Sequence, residues 1–288
     1  MSIKVSTPDV AELAEIVGAL RDWQDDDVPL QLHPGDLGWY WLRGAAATAG
    51  AIRAWRRNGQ IVAVGLLDGP ELLRVTSAPD AQRDEELART QVADAIEPAR
   101  GILPAGEVAI EAPTGALVHD LLLETGWRVG EPWTPLQRDL TEAVEDAGIR
   151  IEAIGPDRAS EFAAVHQSAF GSAKFTDRHW RTMAAGLPYA GARSVVAYDD
   201  DANPVAAVTV WSAGPGKPGL LEPMGVHADH RGRGYGRAIS VAAAAALRQL
   251  GSSSAMVCTP SSNRGAVATY QAAGFRPLPE RHDSYREN

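Results

Sequence analysis

Residues 222–238 read Glu222-Pro-Met-Gly-Val-His-Ala-Asp-His-Arg-Gly-Arg-Gly-Tyr-Gly-Arg-Ala238, and the order of residue types within them decides the fold. An apolar, strand-like run ends at Val226. A glycine-rich turn occupies Arg231 to Gly236, and an unbroken helical pattern follows through Ala243 to Leu250, closed by Gly251. Strand, glycine turn and helix start together form an anion cradle. Gly232, Gly234 and Gly236 let successive backbone N–H groups point at one spot, and the helix N-terminus adds about half a positive charge. Arg231, Arg233 and Arg237 bring full charges to the same place. The ligand this predicts is a pyrophosphate.

Three glycine-rich phosphate motifs compete for the stretch. A P-loop ends in Gly-Lys-Ser/Thr and opens a helix. Gly214-Pro-Gly-Lys217-Pro218 instead puts proline where that helix would begin and reads as a loop. A dinucleotide fingerprint needs Gly-x-Gly-x-x-Gly with an acid about 20 residues on. Here the spacing is Gly232-x-Gly234-x-Gly236, and no acidic residue occurs between Asp229 and Glu280. The third motif fits. Arg231-x-x-Gly234-x-Gly236 after a strand resembles the acetyl-CoA pyrophosphate loop of the GNAT (GCN5-related N-acetyltransferase) superfamily. Asn263-Arg-Gly-Ala266-Val-Ala-Thr-Tyr270-Gln-Ala-Ala-Gly274-Phe275 is similar to the family's second signature, Asn-x-x-Ala-x-x-x-Tyr-x-x-x-Gly-Phe. The strict match covers roughly residues 220–275, and the coarser pattern reaches back to about 149. Ala228 departs from the family, which often has proline there.

At 288 residues the length favours two domains, and 45% hydrophobic with 22% charged residues is an ordinary globular composition. No 18-residue apolar span and no signal-like h-region at the N-terminus point to a cytoplasmic chain without a membrane partner. One cysteine excludes an intramolecular disulfide and any Cys-based metal cluster; Cys258, in an apolar strand context, reads as a buried structural thiol. The net charge of −10 argues against a general nucleic-acid partner. It is unevenly spread: residues 1–148 hold 12 Lys/Arg and 25 Asp/Glu (−13), whereas residues 149–288 hold 15 and 12 (+3). Electrostatically, the C-terminal half is the one suited to a polyanion.

That half reads as a strand (149–154), a helix (156–170) and a short helix (177–185). Strands at 194–198, 204–211 and 220–226 follow, then helix, strand (255–258), helix and a terminal strand. The N-terminal half takes similar steps. It has a helix start at Thr7-Pro8-Asp9, a hairpin signalled by Asn58-Gly59 and a strand at 71–75. A helix (81–97), a strand (108–112) and a helix (117–124) running into Gly126-Trp127 come next. Setting Val75 on Val226 and Gly126 on Gly274 gives offsets of 151 and 148, which approximates an internal repeat. The fold class is therefore α/β (α+β): two tandem GNAT-like domains, each a mixed, mostly antiparallel sheet flanked by helices. Residues 1–140 form a degenerate copy that shapes the acceptor cleft, and residues 149–288 the catalytic copy. The degenerate copy has Asp80-Ala-Gln-Arg-Asp-Glu85 in place of the glycine turn, Gly115 in place of Asn263 and Leu122 in place of Tyr270. One degenerate and one armed copy also resembles the architecture of the mycothiol synthase family.

Gly38-Trp39-Tyr40-Trp41, with Trp23 nearby, reads as core or interface packing or as an aromatic wall for an acceptor. Asp25-Asp-Asp27 reads as a solvated acidic loop, and His33, His119, His166, His179 and His227 lack ligand spacing, so no metal site is expected. The resemblance implies acetyl-CoA as co-substrate. Backbone groups of Met224, Gly225 and Val226 would hold the pantetheine arm. Arg231, Gly232, Arg233, Gly234, Tyr235, Gly236 and Arg237 would hold the pyrophosphate, and Asn263 would steady the cofactor. Tyr270 stands at the position that protonates the departing thiolate, a job suited to a phenol with a pKa near 10. Glu222, four residues before Val226 and so on one face of a strand with Met224 and Val226, reads as the base or an acceptor ligand, or else as a buried carboxylate paired with arginine; His227, past the strand end, is the runner-up for the base. The partner implied is an amine acceptor, small-molecule or a protein N-terminus or lysine. A monomer or homodimer is expected, and a non-catalytic acyl-CoA-binding module is the alternative to an enzyme.

Overall fold

The computed structural model describes residues 2–287. Its elements run β1 (Lys4–Ser6), α1 (Leu13–Asp22), α2 (Pro34–Tyr40), α3 (Ala45–Ala51), β2 (Ile52–Arg57), β3 (Gln60–Leu67) and β4 (Leu72–Ser77). Then come α4 (Glu85–Ile96), β5 (Val108–Glu111), α5 (Leu117–Glu124), β6 (Arg128–Asp139), β7 (Arg150–Ala153), α6 (Ala159–Phe170) and α7 (Asp177–Ala184). The remainder is β8 (Ala192–Tyr198), β9 (Pro204–Ser212), β10 (Gly219–Val226), α8 (Tyr235–Gln249), β11 (Ser254–Pro260), α9 (Arg264–Ala272), β12 (Arg276–Pro277) and β13 (Arg281–Arg286). The chain divides into two compact units. One comprises the described residues up to Leu32, Ala45–Trp133 and those from Glu280 on; the other comprises His33–Gly44 and Thr134–Pro279.

In the first unit the strand order is β1-β2-β3-β4-β5-β13-β6. The β2–β3 hairpin turns through Asn58 (φ 54°) and Gly59 (φ 84°), the positive pair that an Asn-Gly turn supplies. β4 and β5 run parallel at Leu72↔Ala109, Leu73↔Ile110 and Arg74↔Glu111. The slot between β5 and β6 is taken by β13, antiparallel to both. Sequence order predicts this terminal strand in the sheet of the C-terminal half; it lies in the first unit instead. Charge adds to its backbone pairing there: Arg281 donates to Glu111 of β5 at 2.9 Å and to Asp283 of its own strand at 2.9 Å, and Arg74 Nε donates to Glu111 at 2.9 Å. Around the sheet, Trp55, Leu73, Leu87, Ile110, Leu122 and Trp127 form a core, with Trp55 Nε1 donating to the buried Asp94.

The second unit repeats the plan as β7-β8-β9-β10-β11-β6, with β12 added on the C-terminal part of β6. Period-two alternation sorts its strands onto two cores. Val195, Ala197, Ala206, Val208 and Val210 face α8 and α9, while Val196, Tyr198, Ala207 and Trp211 face α6 and α7. Helix α2 belongs to this unit although it comes from the first 50 residues. His33 starts it: Nδ1 accepts from Gly35 N–H (2.9 Å), leaving Nε2–H for the Pro218 carbonyl (3.2 Å), and Asp36 accepts from His33 N–H (2.6 Å). The helix seats on Trp211, where a Cβ at Gly35 would come within 2.6 Å of the Trp211 side chain and one at Gly38 closer still.

Candidate active site

The site is built where β10 leaves its parallel neighbour. Among the described residues the β10–β11 ladder is confined to Gly219↔Ala255 and Leu220↔Met256, so the rest of β10 has an open edge on that side. Its other edge stays on β9, at Met224↔Val208, Gly225↔Ala207 and Val226↔Ala206. His227 N–H donates to the Val205 carbonyl at 2.8 Å. Backbone directions alternate along a strand, so the N–H and C=O of Val226 and of Met224 point away from β9, into the opening. These are two of the three residues whose backbone the family resemblance assigns to the pantetheine arm.

A register shift between Leu221 and Met224 puts three steps on β10 against two on β9. This bulge keeps Leu221 and Met224 on the same core and breaks the alternation that would put Glu222 on the face of Met224. Alternation therefore does not place Glu222. The Glu222 side chain is linked to Tyr270 by charge alone: with Cys258, it opposes ionisation of the Tyr270 phenol. The Glu222 carbonyl is held by Trp211 Nε1 at 2.5 Å.

Beyond β10 the chain makes a short 3₁₀ turn at 228–230, then passes Gly232 (φ 74°) and Gly234 (φ 85°) into α8. Gly234 is the cap residue in the left-handed region and offers no side chain to the helix start. The first intrahelical bond is Ala238 N–H to Gly234 O (3.1 Å), so the N–H groups of Tyr235, Gly236 and Arg237 have no partner within the helix. At Gly236 the constraint is closeness: a Cβ would stand 2.9 Å from Thr269 Cγ2 and 3.5 Å from Val226 Cγ2.

The three arginines do not converge as the sequence suggests. Arg231 donates to the Ala169 carbonyl at the end of α6 (2.6 Å). Arg237 donates to the Ala272 carbonyl at the end of α9 (3.0 Å) and lies 3.6 Å from Glu145. Each serves the negative end of a helix. Arg233 is exposed and makes no hydrogen bond or ion pair among the described residues. His227 turns to the loop, its Nδ1 accepting from Asp229 N–H at 3.4 Å.

On α9, Asn263 is the N-cap: its Oδ1 accepts from Ala266 N–H at 3.2 Å, leaving its amide N–H₂ group for another partner. Two turns on, Tyr270 is buried, 6% exposed, with Phe275 5.8 Å from its ring. Burial, then the charges of Cys258 and Glu222, push the phenol well above its ordinary value near 10, so it is protonated at every working pH. Cys258 itself is half-buried rather than fully buried.

The α6 side of β10 shows elements that the sequence left unplaced. Ser168 Oγ on α6 accepts from Ala228 N–H (3.0 Å), tying this helix to the glycine turn. Gly225 lets α6 approach β10: a Cβ there would meet Ala169 Cβ at 2.6 Å and the Phe170 ring at 3.3 Å. Trp39 of α2 stacks on Phe175, at 5.3 Å between centroids, so the aromatic string of the N-terminal half packs in the second unit. The one local signal for α2 is Gly35 and Gly38, three apart on a helix and therefore a groove for a ring.

The matching loop of the first unit is closed by its own side chains. Asp84 caps α4 by accepting from Leu87 N–H (2.8 Å), and Arg57 pairs with Asp84 (2.7 Å) and Glu86 (3.3 Å). No group of three or more His, Cys, Asp or Glu with metal-binding geometry occurs among the described residues, and no described helix is long and apolar enough to cross a membrane.

Comparison with known proteins agrees with this geometry. Residues 159–275 match the profile of the acetyltransferase (GNAT) family. Among solved structures, a tandem GNAT protein from the clavulanic acid biosynthesis pathway is 19% identical. That alignment covers 99% of this chain and 98% of that one, with a TM-score of 0.64. A GNAT-family acetyltransferase from Colwellia psychrerythraea (17% identity, 100% of each chain, TM-score 0.61) is also similar. So is a GCN5-related N-acetyltransferase from Sphaerobacter thermophilus (18%, 99% and 95%, TM-score 0.60). No curated protein matches the chain. At these identities the likeness is one of fold.

Proposed function

We propose, from the premise that residues 159–275 form a GNAT acetyltransferase domain, that the chain moves an acetyl group from acetyl-CoA to the primary amine of a small-molecule acceptor by direct attack. The observation that carries this reading is one juxtaposition. An open strand edge at Met224 and Val226 leads into a helix start with unclaimed N–H groups, beside a buried phenol that senses Glu222.

The residues fit the co-substrate. The N–H groups of Tyr235, Gly236 and Arg237, with the guanidinium of Arg233, suit a pyrophosphate. The open backbone edge of β10 suits the amides of a pantetheine arm, and Asn263 has a side-chain amide to spare. Arg231 and Arg237 shape the cradle from its flanks. In the transfer, a C–N bond forms as the thioester C–S bond breaks. Backbone N–H groups on the open edge stabilise the developing oxyanion. Glu222, directly or through water, takes the proton that the ammonium must lose. Tyr270 donates to the departing sulfur, and the second proton, which the nitrogen gives up as the amide forms, restores the phenol through solvent; a thiolate released at this buried place is itself poorly solvated, which raises its demand for the phenol proton.

The first unit, in this reading, is a framework without a cofactor site, because Asp84 and Arg57 already occupy the helix start that would receive the phosphates. Incubation with acetyl-CoA and an amine panel, following free thiol, tests the function. Tight acetyl-CoA binding with no acceptor-dependent thiol release would leave a non-catalytic acyl-CoA-binding module and end the enzymatic reading. For the acid, Tyr270→Phe is expected to lower kcat about 100-fold while the acetyl-CoA Kd stays within about twofold. Equal loss in both would remove the role.

A further inference from the structure

Four rings line the α6 side of β10 in one contiguous patch. His166 is the hub, with its centroid 4.6 Å from Phe170, 4.5 Å from Phe175 and 5.5 Å from Trp39. Phe175 is buried beneath, whereas Trp39 is half-buried and Phe170 is 53% exposed. Leaving a phenylalanine ring in water forgoes the stabilisation its burial would bring, so an exposed ring beside a reactive strand points to something that covers it. Phe170 is beside that strand: its ring lies 3.3 Å from where a Cβ of Gly225 would stand, between the two residues whose backbone faces the opening.

The hub of the patch is also uncharged. Burial holds His166 down to about 4, so its imidazole is neutral at working pH, and its Nδ1 is buried with no hydrogen-bond partner. None of the four rings carries a carboxylate. A polyamine or an aminosugar with several ammonium groups needs several carboxylates or hydrogen-bonding side chains to replace its water. Glu222 is the carboxylate that the proposed function assigns to the amine that reacts. An aromatic surface beside one carboxylate fits a molecule with one ammonium and one planar apolar group.

We propose that Trp39, His166 and Phe170, with Phe175 behind them, form the acceptor-recognition wall of this enzyme, and that its acceptor is a primary amine bearing an aromatic group. This rests on the acetyltransferase reading of the same site and adds the substrate class. It also accounts for α2, a segment from the N-terminal part of the sequence that brings Trp39 to the wall.

The experiment uses the full chain with acetyl-CoA and compares kcat/KM for 2-phenylethylamine and tryptamine with that for n-butylamine, spermidine and kanamycin. The aromatic amines are expected to lead by at least about tenfold, the value of burying one ring. Trp39→Ala and Phe170→Ala are each expected to lower the aromatic-to-alkyl ratio about tenfold through KM. Acetyl-CoA binding by calorimetry shows that the variants are folded, and Phe170→Leu is expected to recover part of the ratio. A second readout needs no turnover: saturation-transfer NMR of 2-phenylethylamine on the CoA-loaded protein, expected to weaken in Trp39→Ala. Faster transfer to spermidine or kanamycin, or a ratio unmoved in both variants, would overturn the wall and leave the acetyltransferase standing. Ring-dependent amine binding without any transfer would overturn the enzyme and leave the wall.

Discussion

Replacing Glu111 by glutamine tests whether charge holds the last strand in the first unit. Glu111 is 13% exposed and lies between Arg74 (17%) and Arg281 (6%), each at 2.9 Å. Burial alone would raise its pKa, yet the two guanidiniums hold it at about 2 against an ordinary 4.5. A carboxylate with a lowered folded value stabilises the fold above its unfolded pKa and loses that contribution as pH falls toward the folded one. The difference corresponds to ~3 kcal/mol at neutral pH, of which about 2 kcal/mol is gone by pH 3. Asp283 works the other way, since burial and the charge of Glu111 raise its value, so the net effect is somewhat smaller. Glu111→Gln is thus expected to cost ~2–3 kcal/mol at pH 7, with Arg74 and Arg281 left short of a partner. Urea unfolding of both proteins at pH 7 and pH 3 gives the magnitude. Hydrogen exchange of the amides of Ser284 and Tyr285, read by mass spectrometry, gives the place. A deficit as large at pH 3 as at pH 7, or a β13 that keeps its protection in the variant, would refute this account of the strand.

Two predictions concern the cradle. Arg233→Ala is expected to weaken acetyl-CoA binding several-fold, more at low than at high salt, with no change in Tm, because its guanidinium is committed to nothing in the fold. Arg231→Ala is expected to lower both affinity and Tm, since it also releases the Ala169 carbonyl; calorimetry at two salt concentrations with a melting curve separates them. Gly236→Ala is expected to lower acetyl-CoA affinity and Tm together by pushing Thr269 off α8, and Thr269→Ser in the same chain should recover part of both, as measured by binding and thermal unfolding.

What the sequence disclosed divides by range. The Asn58-Gly59 hairpin and the glycine turn at Gly234 are decided by backbone conformation within a few residues, and both stand where the residue types put them. The bounds of α5, Leu117–Glu124, and α7, Asp177–Ala184, follow from helical periodicity equally well. Strand partnership is a different kind of information. Nothing local in Arg281–Arg286 says that it pairs with β5, because the ion cluster that fixes it comes from residues 74 and 111. β6 is not legible in the sequence because Pro132 and Pro135 interrupt any strand pattern, and they are accommodated beside β13 and near the start of the second unit's sheet. At Glu222 the period-two rule crosses a bulge that exists only in relation to β9, so counting back from Met224 does not give the face of this residue. The aromatic string at 38–41 leaves two readings open, and packing uses both: Trp41 is buried, while Trp39 is half-buried on the ring patch.

The two loops after the parallel-leading strands differ in what claims the N–H groups at the helix start that follows, and on the proposed function that difference decides which of them suits a pyrophosphate. A helix start has a fixed supply of unpartnered N–H groups, which a side chain or a ligand can claim, but not both. Gly234 claims none and, in the left-handed region, leaves the first turn of α8 facing outward. Asp84 claims the N–H of Leu87, and its charge is matched by Arg57 from the neighbouring hairpin, which also reaches Glu86. The carboxylates at 80–85 read, from sequence, as simple repulsion of an anion. The structure gives a stronger reason: an acceptor for the N–H group and a counter-ion for the charge are already built in. Substituting glycine at Asp84 alone would leave Arg57 with Glu86 only and lose the cap, typically ~1 kcal/mol for such a residue, without opening the several N–H groups that a pyrophosphate needs. The closed helix start of the first unit is therefore coupled to the stability of α4, and the glycine turn in the second unit is kept open at the expense of a cap.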